Sequence, residues 1–93
     1  MQSKLSAILK TLAKHGCAEM ILALHERPRN YGELQKIVGN PATTQRTLKM
    51  MINQGLLRRE VQQDERRTVR YYLTPFGEAC AAFLEDLLQK ENQ

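Results

Sequence analysis

Halfway along this 93-residue chain the spacing of apolar residues changes period, and few small folds accommodate the change. Up to Ile52 the apolar residues recur at steps of three and four, as along one side of a helix. Beyond Gly55 they alternate: Leu57 and Val61 share a face of LLRREVQ, and Val69, Tyr71 and Leu73 share one of TVRYYLT. The polar QDERR between them suits a turn, so the spacing predicts an antiparallel hairpin with strands of about 57–62 and 68–73. After Thr74-Pro75 the helical period returns. It predicts a last helix of about 75–89, with Phe76, Cys80, Phe83, Leu84, Leu87 and Leu88 on its apolar stripe and a frayed tail at 90–93.

Four helices are expected ahead of the hairpin. Ser3 can cap the first, of about 4–14, which carries Leu5, Ile8, Leu9 and Leu12 and ends at Gly16. Residues 17–26 form a short buried helix with Ile21, Leu22 and Leu24 in the core. Arg27-Pro28 stops it, because the residue before proline avoids the helical region. Tyr31 to Val38 form a third helix, and Gly39 stops it. Asn40 caps a fourth and Pro41 opens it, at the position where a missing N–H costs nothing. This helix runs to about Gln54. Two short helices joined by a tight turn, here about 31–54, make a helix-turn-helix, and a hairpin at about 57–73 adds a wing. The fold class expected is therefore mostly α with one small two-stranded β-hairpin, a winged helix-turn-helix within a single domain of residues 1–93.

Charge is distributed unevenly. Residues 27–73 hold ten Lys/Arg against four acids, a net of +6, whereas residues 1–26 net +1 and residues 74–93 net −3. A basic middle points to an anionic partner, nucleic acid first. No charged start followed by a long apolar run is present, so neither a signal peptide nor a membrane span is expected, and the expected compartment is the cytoplasm. There Cys17 and Cys80 are expected to be reduced.

The fourth helix, NPATTQRTLKMMINQG, carries the sharpest signal. With Leu48, Met51 and Ile52 facing the core and Thr44 on or near that side, Thr43, Arg46, Thr47, Met50 and Asn53 point outward, with Gln45 and Lys49 on the flanks. That face has donors and cations and no carboxylate, which suits a groove lined with phosphates and base-edge acceptors. The second helix of a helix-turn-helix leads into the major groove with its N-terminal residues. Thr43, Thr44, Gln45 and Arg46 are thus the expected DNA-reading residues. Arg46 matches the O6/N7 edge of guanine, Gln45 could read adenine, and Lys49 suits a phosphate. The alternative for each is an ordinary solvated side chain. In the wing, Arg58, Arg66, Arg67 and Arg70 are expected to reach the DNA backbone or minor groove. For Arg59 a phosphate contact and a bracing role in the hairpin stand equal. Asp64 and Glu65 argue against indiscriminate phosphate binding and suit orienting an arginine.

Over roughly residues 17–78 the chain resembles winged helix-turn-helix transcription regulators of the MarR, ArsR and HxlR types. The resemblance rests on MILALHERPRNYGELQKIVG, LKMMINQGLLRRE, the wing, and RYYLTPFGE in that order. It implies duplex DNA as the partner. Departures matter: HxlR-type regulators carry tryptophan where this chain has Cys17, and a sensing cysteine near Ser3 or Lys4, so their thiol chemistry does not carry over. The cysteine clusters of ArsR-type metal sensors are absent too. The Asp-x-Arg of MarR-type wings fits either Glu65-Arg66-Arg67 or, with one extra residue, Asp64-Glu65-Arg66.

His15, Cys17 and His25 lack metal-ligand spacing, and no Ser/His/Asp pattern, phosphate-binding Gly loop or carboxylate pair is present. Neither catalysis, nor a metal, nor a cofactor is expected. Leu5, Ile8 and Leu12 step by three and four, as do Phe76, Cys80, Phe83 and Leu87, with Leu84 beside them. So small a chain offers little core for both stripes, and the surplus predicts a homodimer built on the terminal helices and reading an inverted-repeat operator. Cys80 on that stripe leaves open a Cys80–Cys80 bridge across a two-fold axis. No effector is indicated. A winged-helix protein-interaction module and a sequence-tolerant architectural DNA-binding protein remain as alternatives.

Overall fold

The computed structural model describes residues 4–92, so the expected Ser3 cap lies outside the described residues. The elements follow in the order α1 (Lys4–Leu12), α2 (Cys17–Glu26), α3 (Tyr31–Val38), α4 (Pro41–Asn53), β1 (Leu57–Val61), β2 (Val69–Leu73) and α5 (Pro75–Glu91). This is the winged helix-turn-helix expected. α1 stops at Leu12, two residues short of the expectation, and α5 runs on through residues expected to fray. The Lys90 ammonium binds the Asp86 carboxylate one turn back at 2.9 Å and continues that last turn.

Local chemistry accounts for the boundaries that place α4. Asn30 caps α3 with a reciprocal box: its side chain accepts the Glu33 N–H, and the Glu33 carboxylate accepts the Asn30 N–H. Gly39 closes α3 with a left-handed φ of 95°, which only glycine adopts without strain, and Asn40 then accepts the Thr43 N–H to start α4. The turn between α3 and α4 is thus fixed in two residues.

The core is aliphatic and sulfur-rich. Met20, Ile21, Leu24, Leu34, Val38, Leu48, Met51, Leu56, Leu57 and Leu73 are its buried hydrophobic side chains, with Cys17, Tyr71, Cys80 and Ala81. Leu22, expected in the core, is only half-buried, and Met20 takes its place. The hairpin pairs Leu57 with Leu73, Arg59 with Tyr71 and Val61 with Val69 on one face. Only the near half of that face is covered, and Val61 is 46% exposed. A third segment, not anticipated, joins the hairpin: Arg29 and Tyr71 exchange both backbone hydrogen bonds, at 3.2 and 2.8 Å. The linker between α2 and α3 is thereby tied to the wing.

α5 packs across α2. His25 on α2 hydrogen-bonds Glu78 at 2.6 Å and lies 3.7 Å from Glu85, and these acids raise its pKa. At the start of α5, Thr74 accepts the Gly77 N–H, and its hydroxyl lies 2.5 Å from the Gly55 carbonyl oxygen. A Cβ at Gly77 would stand 2.2 Å from the Leu56 carbonyl oxygen, so this crossing needs glycine. The close approach is the physical content of the LTPFG signature.

Candidate nucleic-acid interface

The core side of α4 is the stripe Thr44, Thr47, Leu48 and Met51, all buried. Two of these correct the sequence reading. Thr44, expected to read DNA, is fully buried and donates its hydroxyl to the Asn40 carbonyl at 2.7 Å. Thr47, expected outward, is 5% exposed, and Met50 is half-buried against the core. The stripe i, i+3, i+4, i+7 therefore runs through two threonines. Their small, half-apolar side chains fit a tight seam, and their polarity hid this from a hydrophobicity pattern.

The opposite stripe of α4 is Ala42, Gln45, Arg46, Lys49 and Asn53, all exposed, with Thr43 half-buried at its edge. It holds two cations and no acid. Neither Arg46 nor Lys49 has an ion-pair partner among the described residues.

Other cations of the basic middle segment are engaged. Arg29 is largely buried, donates to the Ala23 carbonyl at 3.0 Å and pairs with Glu26 and Glu33. Arg27 pairs with Glu33 at 2.6 Å, and the Arg27 guanidinium is the main cause that brings the Glu33 carboxyl down to about 2. Arg58, expected on DNA, is ion-paired with Glu60 and stacks 4.3 Å from the Tyr72 ring centroid. Strand alternation puts Arg58 and Arg59 on opposite faces of the hairpin. Arg59, without an ion-pair partner among the described residues, faces α4 and lines a cleft with Gln45, Lys49 and Asn53. Its place was legible from the alternation Leu57, Arg59, Val61.

At the wing tip the Asp64 carbonyl accepts the Arg67 N–H and its carboxylate accepts the Thr68 N–H, so Asp64 shapes the turn. Neither the Asp64 nor the Glu65 carboxylate pairs with an arginine guanidinium among the described residues. Arg67 has a left-handed φ of 48°, uncommon for a residue with a side chain. Arg66, Arg67 and Arg70 are exposed and free of ion pairs among the described residues.

The metal candidates do not converge. His15 Nε2 lies 3.0 Å from the Val38 carbonyl, Cys17 packs on Met51, and His25 is with Glu78. Among the described residues no cluster of three metal-ligating side chains forms. Among the described residues no helix is long and apolar enough to cross a membrane.

The terminal helices leave apolar surface. In α1, Ile8 and Leu12 pack on the core, while Leu5 and Leu9 are exposed. In α5, Cys80 is buried and Leu84 half-buried within the same chain, while Phe76, Phe83, Leu87 and Leu88 are about half exposed. The dimer candidates thus divide: Ile8, Leu12, Cys80 and Leu84 serve the chain's own core, and Leu5, Phe83 and Leu87 do not. Between α1 and α5 runs an apolar groove of about 490 Å³, lined by Leu5, Ile8, Leu9, Leu12, Phe76, Cys80 and Phe83.

No curated protein sequence matches the chain. Among solved structures it is similar to diamide-treated YodB from B. subtilis, with a TM-score of 0.82 at 21% identity over 100% of this chain and 94% of that one. It is also similar to the putative transcriptional regulator ytfH from Salmonella typhimurium, with a TM-score of 0.76 at 21% identity over 90% of this chain and 77% of that one. The transcriptional repressor BigR from Xylella fastidiosa superposes with a TM-score of 0.76 at 19% identity, over 96% of this chain and 87% of that one. At these identities the likeness is one of fold. Residues 11–93 match the model of one sequence family, and the chain belongs to it: the HxlR-like helix-turn-helix family.

Proposed function

We propose that the chain is a sequence-specific regulator of transcription, not an enzyme, that binds double-stranded DNA in the cytoplasm as a homodimer. The observation that carries this reading is the acid-free stripe Gln45, Arg46, Lys49 and Asn53 on α4, exposed and without ion pairs among the described residues. An ordinary solvent face would mix both signs of charge. Here α4 enters the major groove, Arg46 reads a base edge, and Gln45 contacts an adjacent one. Thr43 sits at the margin. Arg66, Arg67 and Arg70 of the wing meet the backbone or the minor groove. Membership of a helix-turn-helix family and likeness to structures titled as transcriptional regulators support the reading.

The dimer forms through α1 and α5. Leu5, Leu9, Phe76, Phe83, Leu87 and Leu88 are about half to two-thirds exposed in one chain. Covering them is worth about 1 kcal/mol each, or roughly 12 kcal/mol for two subunits. That is comparable with the roughly 4–15 kcal/mol that association costs. Two α4 helices then lie about one DNA turn apart, roughly 34 Å, and the site is an inverted repeat.

Selection from a randomised duplex pool tests this. The unmodified protein should enrich an inverted repeat. Arg46→Ala should lose about 1–3 kcal/mol of affinity and relax preference at one position of each half-site. If Arg46→Ala leaves both unchanged, α4 is not the reading helix as placed.

A further inference from the structure

A cleft of about 240 Å³ lies between the flank of α4 and the inner face of the hairpin. Tyr31, Ile52 and Tyr71 contribute its apolar wall, while Lys49 enters from α4 and Arg59 from β1. Neither cation has an acidic partner among the described residues, and no carboxylate lines the cleft. Two like charges held at one half-apolar cleft repel each other unless an anion lies between them. The neighbouring Arg58 is excluded from the cleft by strand alternation and is taken up by Glu60 and Tyr72. The basic residue of this pair that is free for a ligand is therefore Arg59. The Tyr31 hydroxyl donates to the Pro41 carbonyl at 3.1 Å, so one wall of the cleft also steadies the start of α4.

We propose that this cleft seats one backbone phosphate of the duplex, held from two sides by Lys49 and Arg59. The inference rests on the duplex-binding reading above and adds to it. One phosphate joins the wing to the reading helix and sets the register at which α4 meets the bases. A phosphate oxygen suits both partners: the guanidinium offers a planar fork and the ammonium a compact point charge.

The test is titration of a mixed-sequence duplex across a range of salt, with the full chain. A phosphate contact is independent of sequence, so no operator is needed. Arg59→Gln should lower affinity about tenfold or more, as losing a hydrogen bond to a charged group does. The Lys49→Gln, Arg59→Gln double variant should also flatten the plot of log affinity against log salt by about two for the dimer, one for each phosphate no longer neutralised, whereas Arg59→Gln alone leaves Lys49 on that phosphate. Arg59→Lys should restore the affinity. The Lys49→Gln, Arg59→Gln pair should lose less than the two single losses combined, because one phosphate serves both side chains. Lys90→Gln, remote on α5, serves as the unaffected control. Because Arg59 has no hydrogen-bond partner among the described residues, Arg59→Gln should melt as the unmodified protein does. An unchanged salt slope in the double variant overturns the proposal, as does an unchanged affinity in Arg59→Gln. So does a collapse of its melting temperature, which would make Arg59 a brace of the hairpin. Additive losses would assign two separate phosphates and likewise overturn it. If the folded, unmodified protein binds no duplex at all, the duplex reading itself fails, and the cleft with it.

Discussion

Replacing Gly77 by alanine adds one methyl group at the glycine with the closest neighbour of the five. Its carbon would stand 2.2 Å from the Leu56 carbonyl oxygen, 3.2 Å from the carbon of that group and 3.0 Å from Leu73 Cδ2. The nearest of these is backbone, so no flexible side chain can yield. Relief requires the start of α5 to move by about an ångström, the shortfall from ordinary van der Waals contact. The Leu56 oxygen also accepts the Thr74 N–H at 3.1 Å, and the Thr74 hydroxyl holds the Gly77 N–H, so the movement strains the cap as well. Overpacking costs about 1–3 kcal/mol, and each weakened hydrogen bond about 1 kcal/mol. The helical preference of alanine over glycine returns up to about 1 kcal/mol. The net is roughly 3 kcal/mol, which for a domain of this size is a fall in melting temperature of about 12–24 °C. Thermal unfolding followed by circular dichroism at one fixed protein concentration measures it. Gly32→Ala is the internal control: its Cβ meets only Asn30 Oδ1 at 3.4 Å, and it should be neutral or slightly stabilising. If Gly77→Ala melts together with Gly32→Ala, the close crossing does not exist and the account of the LTPFG signature is wrong.

Three further outcomes are expected. Sedimentation should find the unmodified protein dimeric at tens of micromolar, and Leu87→Glu monomeric with unchanged helix content, since Leu87 is already 49% exposed in the single chain; a monomeric unmodified protein rejects the terminal-helix dimer. Stability should fall off on both sides of neutral pH for separate reasons. Glu33 is held down to about 2 by Arg27, so its contribution is present above its ordinary value of 4.5 and disappears as pH falls through about 2, and Glu33→Gln should lose stability near neutrality but not in strong acid. The pKa of His25 is raised by its hydrogen bond to Glu78, so its contribution is complete below 6.5 and disappears as pH climbs through the raised value; a melting profile in which His25→Gln keeps the alkaline decline would contradict this. Burial pushes the Cys17 thiol up to about 11 and raises Cys80, so both should react slowly with a thiol reagent until the protein is unfolded. Non-reducing electrophoresis should then show a monomer band alone, and a dimer band that Cys80→Ser removes would refute the inertness of that thiol.

The sequence by itself determined the elements and their order, because those rest on local chemistry. Asn40 followed by Pro41 suits the start of a helix, Gly39 suits the end of one, and alternation after Gly55 suits strands. The free stripe of Gln45, Arg46 and Lys49 was visible for the same reason: helical geometry fixes which residues lie together once the helix is known. Tertiary structure decided what period and polarity do not encode. Thr47 was drawn outward by its polarity, and Thr44, though placed near the core side, was counted among the DNA-reading residues; both lie inside, and the Thr44 hydroxyl is satisfied by its own helix's backbone, so that a small polar residue can close a seam between helices. Arg58 and Arg59 are neighbours in sequence and alike in charge. Only the register of the hairpin, with Arg58 opposite Tyr72 and Arg59 opposite Tyr71, sends one to an ion pair on the outer face and the other to the cleft beside α4. Net charge was legible residue by residue, but which cations remain unpaired depends on which acids the fold brings within reach, and that is a property of the packed chain alone.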